Sequence, residues 1–194
     1  MKKLFLSLFP FILLAQWQPE YRLTNSSGYS VNCAIASSEN YLHVVWQETR
    51  DGNQEIYYKR STDDGFSWET DVRLTNNLEI SYTPSVSISG SFVYVAWVNK
   101  VGNDFEIFFK QSLDNGISWG GDIQLTHNGN AGNPIVVASG QFVQLIWRGV
   151  SSKGFYEIFH NRSSDGGATW SADSQLTIHT SGLAGTPSIS TTGL

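Results

Sequence analysis

Residues Ser61–Trp68 read STDDGFSW. Two carboxylates beside a glycine and a tryptophan could form an acidic catalytic loop, or they could fasten a turn. The rest of the chain decides between these. The stretch returns as SLDNGISW from Ser112 and as SSDGGATW from Ser163, each time 51 residues on. Arg-Leu-Thr at 22–24 and 73–75 returns as Gln-Leu-Thr at 124–126 and 175–177 in the same step. Glu55-Ile56, Glu106-Ile107 and Glu157-Ile158 keep that register, as do Trp17, Trp68, Trp119 and Trp170. Self-similarity at a fixed period of this length marks a repeat architecture.

Each unit reads as four strands. Ser85–Ser89 alternates with the period of a strand, and Phe92–Trp97 is rich in β-branched and aromatic residues. Phe105–Lys110 is a third run and Asp122–Leu125 a fourth, with Ser-Gly at 89–90 and Asp-Asn-Gly at 114–116 as turn chemistry. No segment keeps a helical period. The expected fold is all-β: a β-propeller of four-stranded antiparallel blades, with about three full blades plus partial strands. Residues 17–24 match a lone fourth strand, and Thr186–Ser190 starts a further first strand. Fewer than four blades cannot close without strain, so residues 16–194 are expected to be the N-terminal portion of a longer propeller.

Every element of the quoted stretch has a structural job. Gly65, Gly116 and Gly167 supply a positive φ at the turn. Asp63, Asp114 and Asp165 are placed to accept from the turn's own backbone N–H groups, and Ser61, Ser112 and Ser163 add a hydroxyl. Trp68, Trp119 and Trp170 carry apolar surface into the packing between blades. Asp64 is matched by Asn115 and Gly166, and so reads as a variable position.

The pattern S-x-D-x-G-x-[ST]-W resembles the Asp-box, or bacterial neuraminidase repeat, of the sialidase-like superfamily. The resemblance covers the mature chain through its repeats. It implies a propeller whose boxes sit away from any active site. Sialidases, it further implies, use three Arg on the sialic acid carboxylate, a Tyr nucleophile paired with a Glu, and an Asp acid/base. The family's short Phe/Tyr-Arg-Ile/Leu-Pro motif is approached by Tyr21-Arg22-Leu23-Thr24, with Thr24 in place of the Pro. The repeats place that tetrapeptide in an ordinary fourth strand.

Spacings within the repeat indicate where function lies. From Cys33, Pro84 or Pro134 to the next Trp is always 13 residues, and from the Glu to the box Asp always 8. The variable spans are Thr to Pro (9, 9, 8 and 10, the first ending at Cys33) and Trp to Glu (9, 9 and 10). These are the 4–1 and 2–3 connections, which share one end of the strands. Loop variation on a rigid scaffold is where binding concentrates. A glycan or protein ligand is therefore expected on that face, opposite the boxes. Arg50, Asp51 and Arg148 are the catalytic candidates there, with Asp104 beside them; solvated turn chemistry is the competing reading for Arg50, Asp51 and Asp104. Glu55, Glu106 and Glu157 occur once per unit, as scaffold residues do.

Composition limits the remaining classes. A net charge of −5, with no basic run, gives no reason to expect nucleic acid as partner. His43, His127, His160 and His179 show no metal-ligand spacing. His43 reads as a strand surface residue, no metal is expected, and nothing calls for a cofactor. Cys33, the single cysteine, reads as a small buried hydrophobe. Residues 1–15 hold two Lys followed by an apolar run of about a dozen residues, which reads as a signal peptide. A buried strand or a membrane anchor is the alternative. No other segment is long and apolar enough to cross a membrane, so a secreted, periplasmic or cell-surface protein is expected. Two functions fit: a non-catalytic glycan- or protein-binding scaffold, or the N-terminal part of an exo-sialidase.

Overall fold

The computed structural model describes residues 20–180 and 184–190. The proposed signal peptide and Trp17 lie outside them. Among the described residues there is no helix, and the strands form three four-stranded antiparallel sheets. The first holds β1 (Ser30–Ser38), β2 (Tyr41–Glu48), β3 (Glu55–Ser61) and β4 (Val72–Arg73). The second holds β5 (Ser81–Ser89), β6 (Phe92–Val101), β7 (Asp104–Ser112) and β8 (Ile123–Gln124). The third holds β9 (Gly132–Ser139), β10 (Phe142–Val150), β11 (Tyr156–Ser163) and β12 (Ser174–Gln175). Each sheet pairs its strands in chain order. The three sheets do not close into a ring.

The second strand of the middle unit is covered on both faces, which explains its unbroken apolar run. Val93 to Val98 are all fully buried. One face of β6 (Val93, Val95, Trp97) packs on Val45, Ile56 and Tyr58 of the first sheet. The other (Tyr94, Ala96, Val98) packs on Val143, Leu145 and Trp147 of the third. The same geometry corrects the reading of His43. It is fully buried, because the face it occupies is the one that the next sheet covers. Trp46, Trp97 and Trp147 lie inside their strands rather than ending them, since pairing continues to Glu48, Val101 and Val150.

The first strands β1, β5 and β9 lie side by side. Ser85, Ser87 and Ser89 accept hydrogen bonds from the backbone N–H groups of Val136, Ala138 and Gly140 at 3.1, 3.0 and 2.8 Å. Each first strand carries a bulge near its start, where Asn32, Thr83 and Asn133 adopt φ of 53°, 47° and 51°. Pro84 and Pro134 follow directly, and a bulge tolerates their missing N–H. β5 therefore begins at Ser81, four residues before the alternation is legible. Cys33 is exposed, contrary to the buried reading, because it sits at such a bulge on the uncovered inner strand. Residues 184–190 form no strand, since no partner strand lies beside them among the described residues.

A repeated clip ties strand three to the end of strand four. Glu55 accepts from Thr75 Oγ1 and from the Asn77 N–H at 3.0 Å. Glu106 accepts from Thr126 Oγ1 at 2.5 Å and the Gly129 N–H at 2.7 Å, and Glu157 does so from Thr177 and His179. Each Thr Oγ1 in turn accepts from the N–H of Ile56, Ile107 or Ile158. A buried carboxylate is tolerable only with its lone pairs engaged in this way. The pairing accounts for the co-repetition of Glu-Ile and Leu-Thr.

Candidate functional site

The two ends of the sheets differ in chemistry. At the Asp-box end, Asp63 Oδ1 accepts from the Ser67 N–H at 2.8 Å and from Ser61 Oγ at 2.7 Å, while Ser67 Oγ donates to Oδ2 at 2.6 Å. Ser61 Oγ accepts from the Gly65 N–H at 2.9 Å. Asp114 and Asp165 repeat the pattern with Ser112 and Ser118, and with Ser163 and Thr169. Hydrogen bonds from Ser118 and Thr169, ahead of those from Ser112 and Ser163, hold Asp114 and Asp165 down at about 2; Asp63 is lowered by the same arrangement. These carboxylates are saturated acceptors, with no proton to give at neutral pH.

The turn also packs between units. Trp119 meets Tyr58 edge-on at 4.9 Å, and Trp170 meets Phe109 at 5.1 Å. Gly65, Gly116 and Gly167 have φ of 86°, 79° and 93°. A Cβ on Gly116 would stand 1.9 Å from Tyr58 Oη, and one on Gly167 2.7 Å from the Phe109 ring. The preceding position is constrained as well. Asp64, Asn115 and Gly166 all take positive φ, which is why only Asp, Asn and Gly occur there.

At the opposite end, the 4–1 and 2–3 loops frame two arrangements. The first gathers Glu48, Arg50 and Asp51, which occur once, with Asp71 and Arg73 of the repeat. Arg50 donates to Glu48 at 3.0 Å, bridges Asp71 at 2.8 Å and lies 4.3 Å over the Tyr57 ring. Asp51 accepts from Tyr57 Oη and pairs with Arg73 at 3.1 Å. Burial works against the Glu48 charge, but bonds from Ser30, Arg50, Ser26 and Trp46 hold it at about 2. Burial, reinforced by Asp51, pushes the Tyr57 phenol up to about 12. Arg50 and Asp51 thus share a network, and their charges are spent on neighbours. Asp104 begins β7, its carboxylate packed against Gly129.

Arg148 is elsewhere. It lies within β10 rather than in a loop, half-buried in a cleft of about 240 Å³ with Tyr82, Phe105, Asn130, Asn133 and Tyr156. Its guanidinium lies 4.6 Å over the Tyr156 ring, and its Nε is buried without a hydrogen-bond partner. No ion pair of Arg148 occurs among the described residues. The same end holds the three bulges, which line a shallow depression with Thr186. Sequence reasoning missed these positions; the signal available was the Asn or Thr before each Cys or Pro. Among the described residues no His, Cys, Asp and Glu cluster could hold a metal.

Fold and sites together define an all-β repeat protein with sialidase-like architecture. The family model described as BNR repeat-like domain matches residues 13–186, and the chain belongs to that family. Among solved structures it is similar to a Hadza microbial sialidase (TM-score 0.57, 15% identity, covering 75% of this chain and 37% of that one). A Dyadobacter fermentans protein of unknown function gives 0.63 at 14% identity, covering 80% and 57%. A Trypanosoma rangeli sialidase gives 0.60 at 16%, covering 76% and 31%. The chain spans between about a third and three fifths of the length of these structures. A comparison with curated proteins gives no match. No helix among the described residues is long and apolar enough to cross a membrane.

Proposed function

We propose that this chain is an exported, propeller-type binding module that takes a glycan or a protein on the face of the 4–1 and 2–3 loops. The Asp-box residues serve as turn fasteners and contribute nothing to binding. The observation that carries this reading is Arg148, an arginine with no acidic partner among the described residues, in an aromatic-walled cleft at the loop end. A guanidinium in that setting suits a carboxylate, and Tyr82 and Tyr156 suit a sugar face. The test is calorimetric titration with sialyllactose against lactose. Preferential binding of the acidic sugar, lost in Arg148→Ala, supports the reading. Equal affinity of the unaltered protein for both sugars, or a preference for the acidic sugar kept in that variant, removes it.

A second reading, part of an exo-sialidase, is favoured by the similarity to sialidase structures. Arg50 and Asp51 count against it here, since each is already paired. Hydrolysis of a fluorogenic sialoside by the full-length protein, abolished by Arg148→Ala, would establish it.

A further inference from the structure

The first two units share one polar contact that the third has lost. Lys59 Nζ donates to the Leu23 carbonyl at 2.7 Å and bridges Asp71 at 2.8 Å. In the next unit Lys110 Nζ donates to the Leu74 carbonyl at 2.5 Å and bridges Asp122 at 2.8 Å. The third unit keeps the carboxylate, Asp173, and the corresponding carbonyl belongs to Leu125, but Asn161 stands where the lysine was. Its Nδ2 reaches Asp173 at 2.8 Å, and the ammonium has no counterpart.

Two further replacements empty the same space. Counted from the second-strand Trp, Glu48 and Arg50 of the first unit correspond to Gly149 and Ser151 of the third. Three long side chains thus become Gly, Ser and Asn. A cleft of about 470 Å³ opens there, lined by Trp147, Gly149, Ser151, Phe159, Asp173 and Gln175, with the Thr126–Ala131 loop opposite. Trp46 Nε1 donates to Glu48 at 3.3 Å, whereas Trp147 Nε1 has no partner among the described residues. Partial burial raises the Asp173 pKa, opposed by the bond from Asn161 and the nearby His127.

We infer that this cleft binds a primary ammonium group on a methylene stem, seated between the Asp173 carboxylate and the Leu125 carbonyl as the Lys59 and Lys110 ammonium groups are in the sister units. The stem lies along Phe159 and Trp147, which stack at 5.8 Å. Such a group comes either from a lysine side chain of a partner protein or from a free alkyl amine. The site adjoins the Arg148 cleft proposed for an acidic sugar, sharing Asn130 and Ala131 with it, but its charged group is Asp173 rather than Arg148, so either can fail alone.

The test follows the Trp147 indole ¹H–¹⁵N resonance of the full chain at pH 8 and constant ionic strength. n-Butylammonium should shift it saturably and n-butanol should not. Asp173→Asn should weaken binding at least tenfold. Asn161→Lys should supply the missing ammonium internally, abolish binding and raise Tm. Tighter binding of Nα-acetyl-lysine methylamide than of butylammonium identifies a protein lysine as the source, and tighter binding of 1,4-diaminobutane identifies a free amine. Equal shifts with butanol, or undiminished binding in Asp173→Asn, overturn the inference. Asp173 is exposed, so its variant folds and decides the matter even if Asn161→Lys does not.

Discussion

Replacing Gly116 by alanine tests whether the Asp-box is a packing element between units. Gly90 is the control: it has φ of 59°, and nothing lies within 4 Å of a Cβ built there. Alanine at Gly90 meets only the left-handed backbone penalty of about 1–2 kcal/mol, partly offset by a stiffer unfolded chain, for a net of about 1 kcal/mol. At Gly65 the new methyl stands 2.9 Å from the end of the half-buried Leu42 side chain, which can yield. The expected loss there is about 1–2 kcal/mol. At Gly116 it stands 1.9 Å from Tyr58 Oη and 2.6 Å from Cζ. Tyr58 is 1% exposed, hydrogen-bonded to His43 at 2.6 Å and wedged on Trp119, so the ring cannot retreat without parting the sheets. Overpacking adds about 1–3 kcal/mol, which brings the total to about 2–4 kcal/mol. Urea denaturation of the three variants gives the order directly through their midpoints at constant m. Gly116→Ala within about 0.5 kcal/mol of Gly90→Ala would refute the packing role.

Three further outcomes follow from buried or saturated groups. Burial, aided by Arg60, lowers His43 from 6.5 to about 4. The unfolded chain then takes up a proton that the folded one refuses. Stability should fall as pH drops from 6.5 to 4 and level off below, by about 2 kcal/mol once solvent screening near the turn is allowed for. His43→Gln should remove that slope in pH-dependent denaturation; a slope unchanged in the variant contradicts the assignment. Asp114 and Asp165, held at about 2, act in a lower window: their contribution is complete above about 4 and is lost as pH falls towards 2. Asp114→Asn should flatten the melting-temperature profile only within that window. Glu106→Ala strands the Thr126 hydroxyl and the Gly129 N–H, and should cost about 3 kcal/mol in urea denaturation.

The repeat made the scaffold readable. Every box marker recurs in one register, so STDDGFSW could be assigned to a turn between the third and fourth strands without coordinates, and that is where it lies. Pairings that cross between units were not readable in this way. His43 occupies a slot whose burial depends on the neighbouring sheet, and a single strand's alternation carries no record of that neighbour. Cys33 looked apolar and small, but the inner strand on which it sits is uncovered. Asp64 looked variable because its requirement is a backbone angle that Asp, Asn and Gly all meet.

The loop end was harder to read, because its chemistry is not repeated. Arg50 and Asp51 were correctly placed at that end, but the sequence does not reveal that Asp71 and Arg73, belonging to the repeat itself, neutralise them. Arg148 seemed to belong to a loop because its strand was expected to stop at Trp147. Pairing with Ile158 carries the strand onward and holds the guanidinium in a walled cleft. The empty cleft of the third unit was visible only by comparing units. Its cause, Asn161 in place of a lysine, is nonetheless written in the repeat.

The most direct test separates the two ends of the sheets: sialyllactose affinity and melting temperature measured together on Asp114→Ala and Arg148→Ala. If the boxes fasten the scaffold and the loop face binds, Asp114→Ala lowers the melting temperature with affinity unchanged. Arg148→Ala then loses at least tenfold in affinity with little change in melting temperature. Loss of affinity in an Asp114→Ala protein of undiminished melting temperature would contradict that division of labour.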